Sequence, residues 1–184
     1  EFITLNENWP GMALLAKTGE KRIKYGEDPH IILDYFKYTF PKTGHGSLVL
    51  ANALMQLEQT QDAKKVAKIS WLDQEFSDHD FLLMLKNFDD VLSQTHQIRL
   101  ENLLWSKARN SVLQMATVMS EEELLMARKR LKLQKPVKVS LKSNKVSQEY
   151  WQNPGVLLDL SNNLQRQKNY TEVSNILKKV SKSF

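Results

Sequence analysis

Apolar residues recur along this chain at helical intervals. Between Arg99 and Met119 they form two stripes. Leu100, Leu103 and Leu104 stand at i, i+3, i+4, and Val112, Met115, Ala116 and Met119 at i, i+3, i+4, i+7. Each set lines one face of a helix. Residues 107–110 are the predicted turn, so the stretch reads as a helical hairpin. One hairpin cannot bury both stripes, and neighbouring hairpins are expected to cover them, with Leu104 and Leu113 packed together in the core. The spacing recurs twice. Leu50, Leu54, Ala63 and Val66, and then Leu160, Leu164, Val173 and Ile176, repeat the intervals of Leu100, Leu104, Leu113 and Ala116, at offsets of 50 and 60 residues. Tetratricopeptide repeats return every ~34 residues, so additional helices are predicted between the copies. The fold class that follows is all-α, a superhelical stack of antiparallel helical hairpins resembling a tetratricopeptide-type α-solenoid. The competing explanation is chance matching among leucine-rich helices.

Punctuation along the chain agrees with helices. Trp9-Pro10 opens a first helix, predicted to run to about Tyr25 and to end at Gly26. Asp28 caps a second with Pro29 at its start, and Ile31, Ile32, Tyr35 and Phe36 are expected to face inward. Pro41 stops it, and Pro41-Lys42-Thr43-Gly44-His45-Gly46 reads as a loop. Residues 47–59 and 61–73 make the first copy of the hairpin. Ser77-Asp78-His79-Asp80 is a capping-box signature with Asp where Glu or Gln reaches better, and Phe81, Leu85, Phe88 and Leu92 form the stripe behind it. Ser120-Glu121-Glu122-Glu123 is a fuller box. Its acids and the cations from Arg128 to Lys132 complement the two ends of the helix dipole. Residues 134–146 have no clear assignment, and Asn153-Pro154 starts the last hairpin.

Composition narrows the class. The 184 residues suit one domain or a piece of a larger protein, and 41% hydrophobic content suffices for a core. The chain contains no cysteine, which excludes disulfides and thiol catalysis. No apolar run reaches the ~20 residues of a membrane-spanning helix. The sequence starts at Glu1, so a signal peptide is neither visible nor excluded. The net charge of +5 is unevenly spread. Residues 1–123 carry 13 basic and 18 acidic side chains, and residues 124–184 carry 13 basic and 3 acidic. Such asymmetry points to an anionic partner for the last third.

Motifs for chemistry are sparse. The four histidines are scattered, and no His-Glu-x-x-His pair or phosphate-cradling glycine loop occurs. Asp78-His79-Asp80 has metal-ligand chemistry but sits where a helix cap is needed. No metal or cofactor is predicted. Trp9, Trp71, Trp105 and Trp151 raise sugar stacking as a possibility, against a core or hairpin-contact role. The basic stretch holds Arg128, Lys129, Arg130, Lys132, Lys135, Lys138, Lys142 and Lys145, with no acid from Leu124 to Gln148. A solvated face explains it, and so does an anionic glycan, lipid or nucleic acid. Aromatic interleaving of the kind that stacks bases is missing, so nucleic acid is not expected. Arg128, Arg130, Lys132, Lys135, Lys138, Lys142 and Lys145 are the candidate contacts.

Several segments are similar to one known family. Phe2-Ile3 with Asn6 and Trp9-Pro10, Pro41-x-Thr43-Gly44-x-Gly46, Trp71 followed by Phe76, Arg99-Leu100-x-x-Leu103-Leu104-Trp105, and Asn153-Pro154-Gly155 resemble, in order, the superhelical non-catalytic region of bacterial soluble lytic murein transglycosylases. Two positions depart from that pattern. Glu7 stands where proline is common, and Lys107-Ala108 where a glycine turn is usual. The resemblance implies one superhelical domain over residues 1–184, a fragment lacking a following lysozyme-like catalytic domain. It also implies a periplasmic parent enzyme that cleaves peptidoglycan glycan strands to anhydromuropeptides. The family's catalytic glutamate lies in a Glu-Ser dipeptide followed by Gly-Leu-Met-Gln. This chain has no Glu-Ser, and Leu54-Met55-Gln56-Leu57 has Ala53 in place of the glycine. No catalytic residue carries over, so the chain alone is expected to be inactive, with the glycan strand and the parent's catalytic domain as its partners. The alternative is a free-standing helical-repeat adaptor that binds a protein.

Overall fold

Local capping chemistry sets several of the helix starts. A computed structural model describes Asn6, residues 9–136 and residues 153–180, and among these the chain is helical with no strand. The helices are α1 (Met12–Glu20), α2 (Pro29–Phe36), α3 (Gly44–Gln56), α4 (Thr60–Asp73), α5 (Asp78–Leu92), α6 (His96–Ser106), α7 (Arg109–Gln114), α8 (Glu121–Leu133), α9 (Pro154–Arg166) and α10 (Tyr170–Val180). Asp28 accepts from the His30 N–H ahead of α2, Ser77 from Asp80 ahead of α5, and Asn153 from Val156 ahead of α9. Ser120 and Glu123 complete a reciprocal capping box at α8.

Two predicted boundaries move. The first helix is shorter than expected, with Gly11 at its N-cap in the left-handed region (φ 87°) and its end at Glu20. The stretch read as a loop after Pro41 is largely the start of α3. Thr43 accepts from the Gly46 N–H, and Gly44 takes the first helical position. A Cβ on Gly44 would sit 2.6 Å from Phe76 Cδ1 and collide with the Glu75 carbonyl, so the glycine is a packing requirement rather than a helix breaker.

The backbone gathers into two compact units, Glu1–Asn102 and Leu103–Phe184, with the division inside α6. In the first, α3 is the hub, packed by α2, α4 and α5, and Ser47 to Ala51 are all buried along it. Ile32 and Phe36 reach this core, but Ile31 and Tyr35 are exposed, because α2 offers only one narrow face to α3. Phe81, Met84, Phe88 and Leu92 carry the α5 stripe inward, and Leu85 is half-buried. In the second unit, Leu133, Val156, Leu160 and Leu164 form a core against which Met126, Val173 and Ile176 pack. Here α9 lies against both α8 and α10.

The repeated hairpin turns are real, but their register differs from the leucine pattern. Glu58, Lys107 and Lys168 are the non-glycine residues with positive φ among those described, each near 60°. At each, the following N–H reaches back to the carbonyl five residues earlier. Gln59 donates to Leu54 at 2.9 Å, Ala108 to Leu103 at 3.0 Å and Asn169 to Leu164 at 3.0 Å. This is the Schellman closure, here built on non-glycine residues. The same three residues begin the next helix, accepting from Ala63, Val112 and Val173. Aligned on these turns, the copies are offset by 49 and 61 residues. Leu103, rather than Leu104, then matches Leu54 and Leu164. Val112 and Met115, rather than Leu113 and Ala116, match the inward positions of the second helix. Leu104 is buried as expected, but Leu113 is exposed, so the predicted Leu104–Leu113 core pair does not form. In the corrected register Arg99 occupies the position of Leu50 and Leu160.

Candidate functional site

The described part of the basic stretch, Arg128 to Lys135, forms a helix face with a defined neighbour. Arg128, Leu131, Lys132 and Lys135 follow i, i+3, i+4, i+7 along α8 and its last turn, so they share one side. Arg109 and Leu113, four residues apart on α7, supply the other wall of a pocket of about 220 Å³. Arg128, Lys132, Lys135 and Arg109 are exposed, and Leu131 is buried beneath them.

A polar framework under this face fixes the end of α8. Asn163 donates to the carbonyls of Leu133 (2.8 Å) and Lys135 (2.7 Å), and Arg166 to those of Leu133 and Gln134. These are the carbonyls that a helix end otherwise leaves unpaired. Arg130, predicted as a surface contact, is no part of the face. Its side chain is fully buried, pairs with Asp159 at 2.9 Å, and lies over the Trp105 ring at 5.5 Å. The helical period turns position 130 inward, where Asp159 supplies the countercharge. Gln134 bridges the Leu104 carbonyl and Asp159. Gly155 leaves the room, since any Cβ there would collide with the guanidinium. Lys138, Lys142 and Lys145 lie outside the described residues. Arg109 was hidden from sequence reading because it stood in a predicted turn, four residues before a leucine assigned to the core.

Two further buried carboxylates, Glu20 and Asp80, are committed to structure. Glu20 is buried, and its two oxygens accept from the Lys42 N–H (2.7 Å) and the Thr43 hydroxyl (2.6 Å). Asp80 faces His45 Nδ1 at 3.2 Å, while His45 Nε2 meets the Ile23 carbonyl at 2.8 Å. Asp78 and His79, in the same cap, are exposed. Among the described residues no three His, Cys, Asp or Glu gather as metal ligands. A second cleft, of about 230 Å³, lies beside Ile31 and Tyr35; partial burial of the phenol, reinforced by the Glu20 charge, raises its pKa above the ordinary range.

The tryptophans divide by role. Trp71 is buried, stacked on Phe81 and close to Phe76 and His96. Trp105 is half exposed, and Trp9 is exposed. Trp151 lies outside the described residues. No helix among the described residues is long and apolar enough to cross a membrane. No known family matches the chain, and neither a curated protein nor a solved structure does.

Proposed function

We propose that this chain is the helical, non-catalytic scaffold of a periplasmic peptidoglycan lytic transglycosylase, built as a hairpin solenoid. The observation that carries the reading is the use made of the residues that resemble that family. Thr43 caps α3, and Gly44 admits Phe76. Arg99 covers Trp71 and Phe76, at 4.3 and 5.2 Å from their ring centres. Asn153 caps α9, and Gly155 clears Arg130. Residues from separate segments thus converge on helix packing, the work of a scaffold. Leu54, in the segment resembling part of a catalytic motif, instead closes the first hairpin turn.

The cleavage chemistry belongs to a glutamate outside this chain, in the parent's catalytic domain. That reaction needs a carboxyl held protonated and then able to take the proton back. Glu20 has both oxygens engaged by donors. Glu121 and Glu122 stand at a helix start, where the dipole favours the ionised form. The test is to incubate the purified chain with murein sacculi. It should co-sediment with them and release no anhydromuropeptides by mass spectrometry. Failure to co-sediment at low salt, or release that a single glutamate substitution abolishes, would sink the proposal.

A further inference from the structure

Arg109, Arg128, Lys132 and Lys135 converge on one pocket, and none forms an ion pair with a described residue. We infer that this pocket binds a small oxyanion carrying two or more negative charges. The inference does not rest on the murein reading.

Three features carry it. The first is unbalanced charge. Arg128 and Lys132 are four residues apart and Lys132 and Lys135 three, spacings at which like charges repel on a helix. The negative end of the α8 dipole offsets part of that repulsion. A monovalent anion would leave most of the four charges unmatched, so the ligand carries more than one. The second is preorganisation. Asn163 and Arg166 hold the last carbonyls of α8, so the Lys132–Lys135 turn is set before a ligand arrives. Both arginines present planar forks suited to oxyanions. The third is shape. The pocket of about 220 Å³ exceeds the ~150 Å³ that holds a benzene and adds the aliphatic surfaces of Leu113 and Leu131. It therefore suits a charged headgroup with a few carbons rather than a polymer segment. Phosphate esters and di- or tricarboxylates share this chemistry.

Calorimetric titration of the full chain at low ionic strength, with inorganic pyrophosphate in one arm and tricarballylate in the other, separates these sources. Saturable one-to-one binding is expected in at least one arm, and the tighter arm identifies phosphate or carboxylate. Arg109→Gln on α7 and Lys132→Gln on α8 should each weaken it about tenfold, as loss of a charge-assisted contact does. Lys86→Gln, at an exposed lysine on α5, should leave it unchanged. The bound probe should also raise the melting temperature of the parent chain more than that of either pocket variant. No saturable binding in either arm, or equal affinity in the parent and both pocket variants, overturns the inference.

Discussion

Each unit buries an arginine against a tryptophan, and the two are compensated differently. Arg99, in the first unit, lies 4.3 Å from the Trp71 ring centre, and Arg130, in the second, 5.5 Å from that of Trp105. Arg130 meets a nearly buried carboxylate, Asp159. Arg99 has backbone acceptors instead: its Nη1 donates to the carbonyls of Trp71 and, at 2.9 Å, Gln74. Those carbonyls close the end of α4, so Arg99 acts as a helix cap supplied from another helix. Its Nε and Nη2 find no partner in the described residues. Burial pushes the guanidinium down to about 10, although the Glu75 and Asp73 carboxylates oppose the shift. A full ion pair and a carbonyl cap both bury an arginine, but only the ion pair strands a charge when one partner is lost.

The largest expected effect tests that distinction. Asp159→Asn should cost about 3–5 kcal/mol, since it leaves Arg130 charged and fully buried without its counter-ion. A double change of Arg130→Met with Asp159→Leu should recover much of the loss. Urea denaturation measures both. If the single variant proves as stable as the parent, Arg130 does not depend on the pair.

A comparable loss is expected in the core of the second unit, where the neighbouring register can be checked. Leu104→Ala should cost about 2–5 kcal/mol, and Leu113→Ala less than about 0.5 kcal/mol, because Leu104 is 1% exposed and Leu113 44%. Equal losses in thermal unfolding would restore the leucine register and reject the turn-based one.

In the first unit the arginine should matter less. Arg99→Met keeps an apolar stem over Trp71 and removes the charge, leaving the Trp71 and Gln74 carbonyls without their donor. Orphaned acceptors cost about 1–3 kcal/mol, so this variant should fall below Asp159→Asn in denaturant. A larger loss than Asp159→Asn would mean that the carbonyl cap is the stronger device.

These contrasts also mark how much was legible in the sequence. The caps at Asp28, Ser77, Ser120 and Asn153 were readable because capping is decided within four residues. The hairpins were readable as leucine spacing, and the central turn was placed at residues 107–110, but the left-handed positions Glu58, Lys107 and Lys168 were not readable as such, because none is a glycine. The register slipped by one residue at the copy where an arginine, counted as polar, occupies a core position. Hydrophobic periodicity also placed Ile31, Tyr35 and Leu113 inside, since it cannot tell which side of an apolar residue has a neighbour. The basic stretch was visible as charge. Its partition into a surface face and a buried Arg130 depends on Asp159, which is 29 residues away.

The smallest expected effect is a pH dependence in the cluster around Arg99. The His96 ring lies 5.5 Å from Trp71, and its buried Nε2 finds no partner among the described residues. Burial lowers its pKa from the ordinary 6.5; the Arg99 charge adds to the shift and Asp89 opposes it. The folded chain therefore favours the neutral ring, while the unfolded chain takes up a proton near pH 6.5. By linkage, this contribution to stability is whole above that pH and is lost as the pH falls below it. His96→Gln removes the proton site, so its stability should fall less steeply than the parent's between neutral and mildly acidic pH. Removing the Arg99 charge with Arg99→Met should also flatten the parent's slope, because the ring then charges more easily in the folded state. Asp159→Asn, in the other unit, should leave the slope intact. Denaturation midpoints of the four proteins across that pH range read the result. A parent that grows more stable on acidification, with the rise lost in His96→Gln, would mean that the folded chain prefers the charged ring.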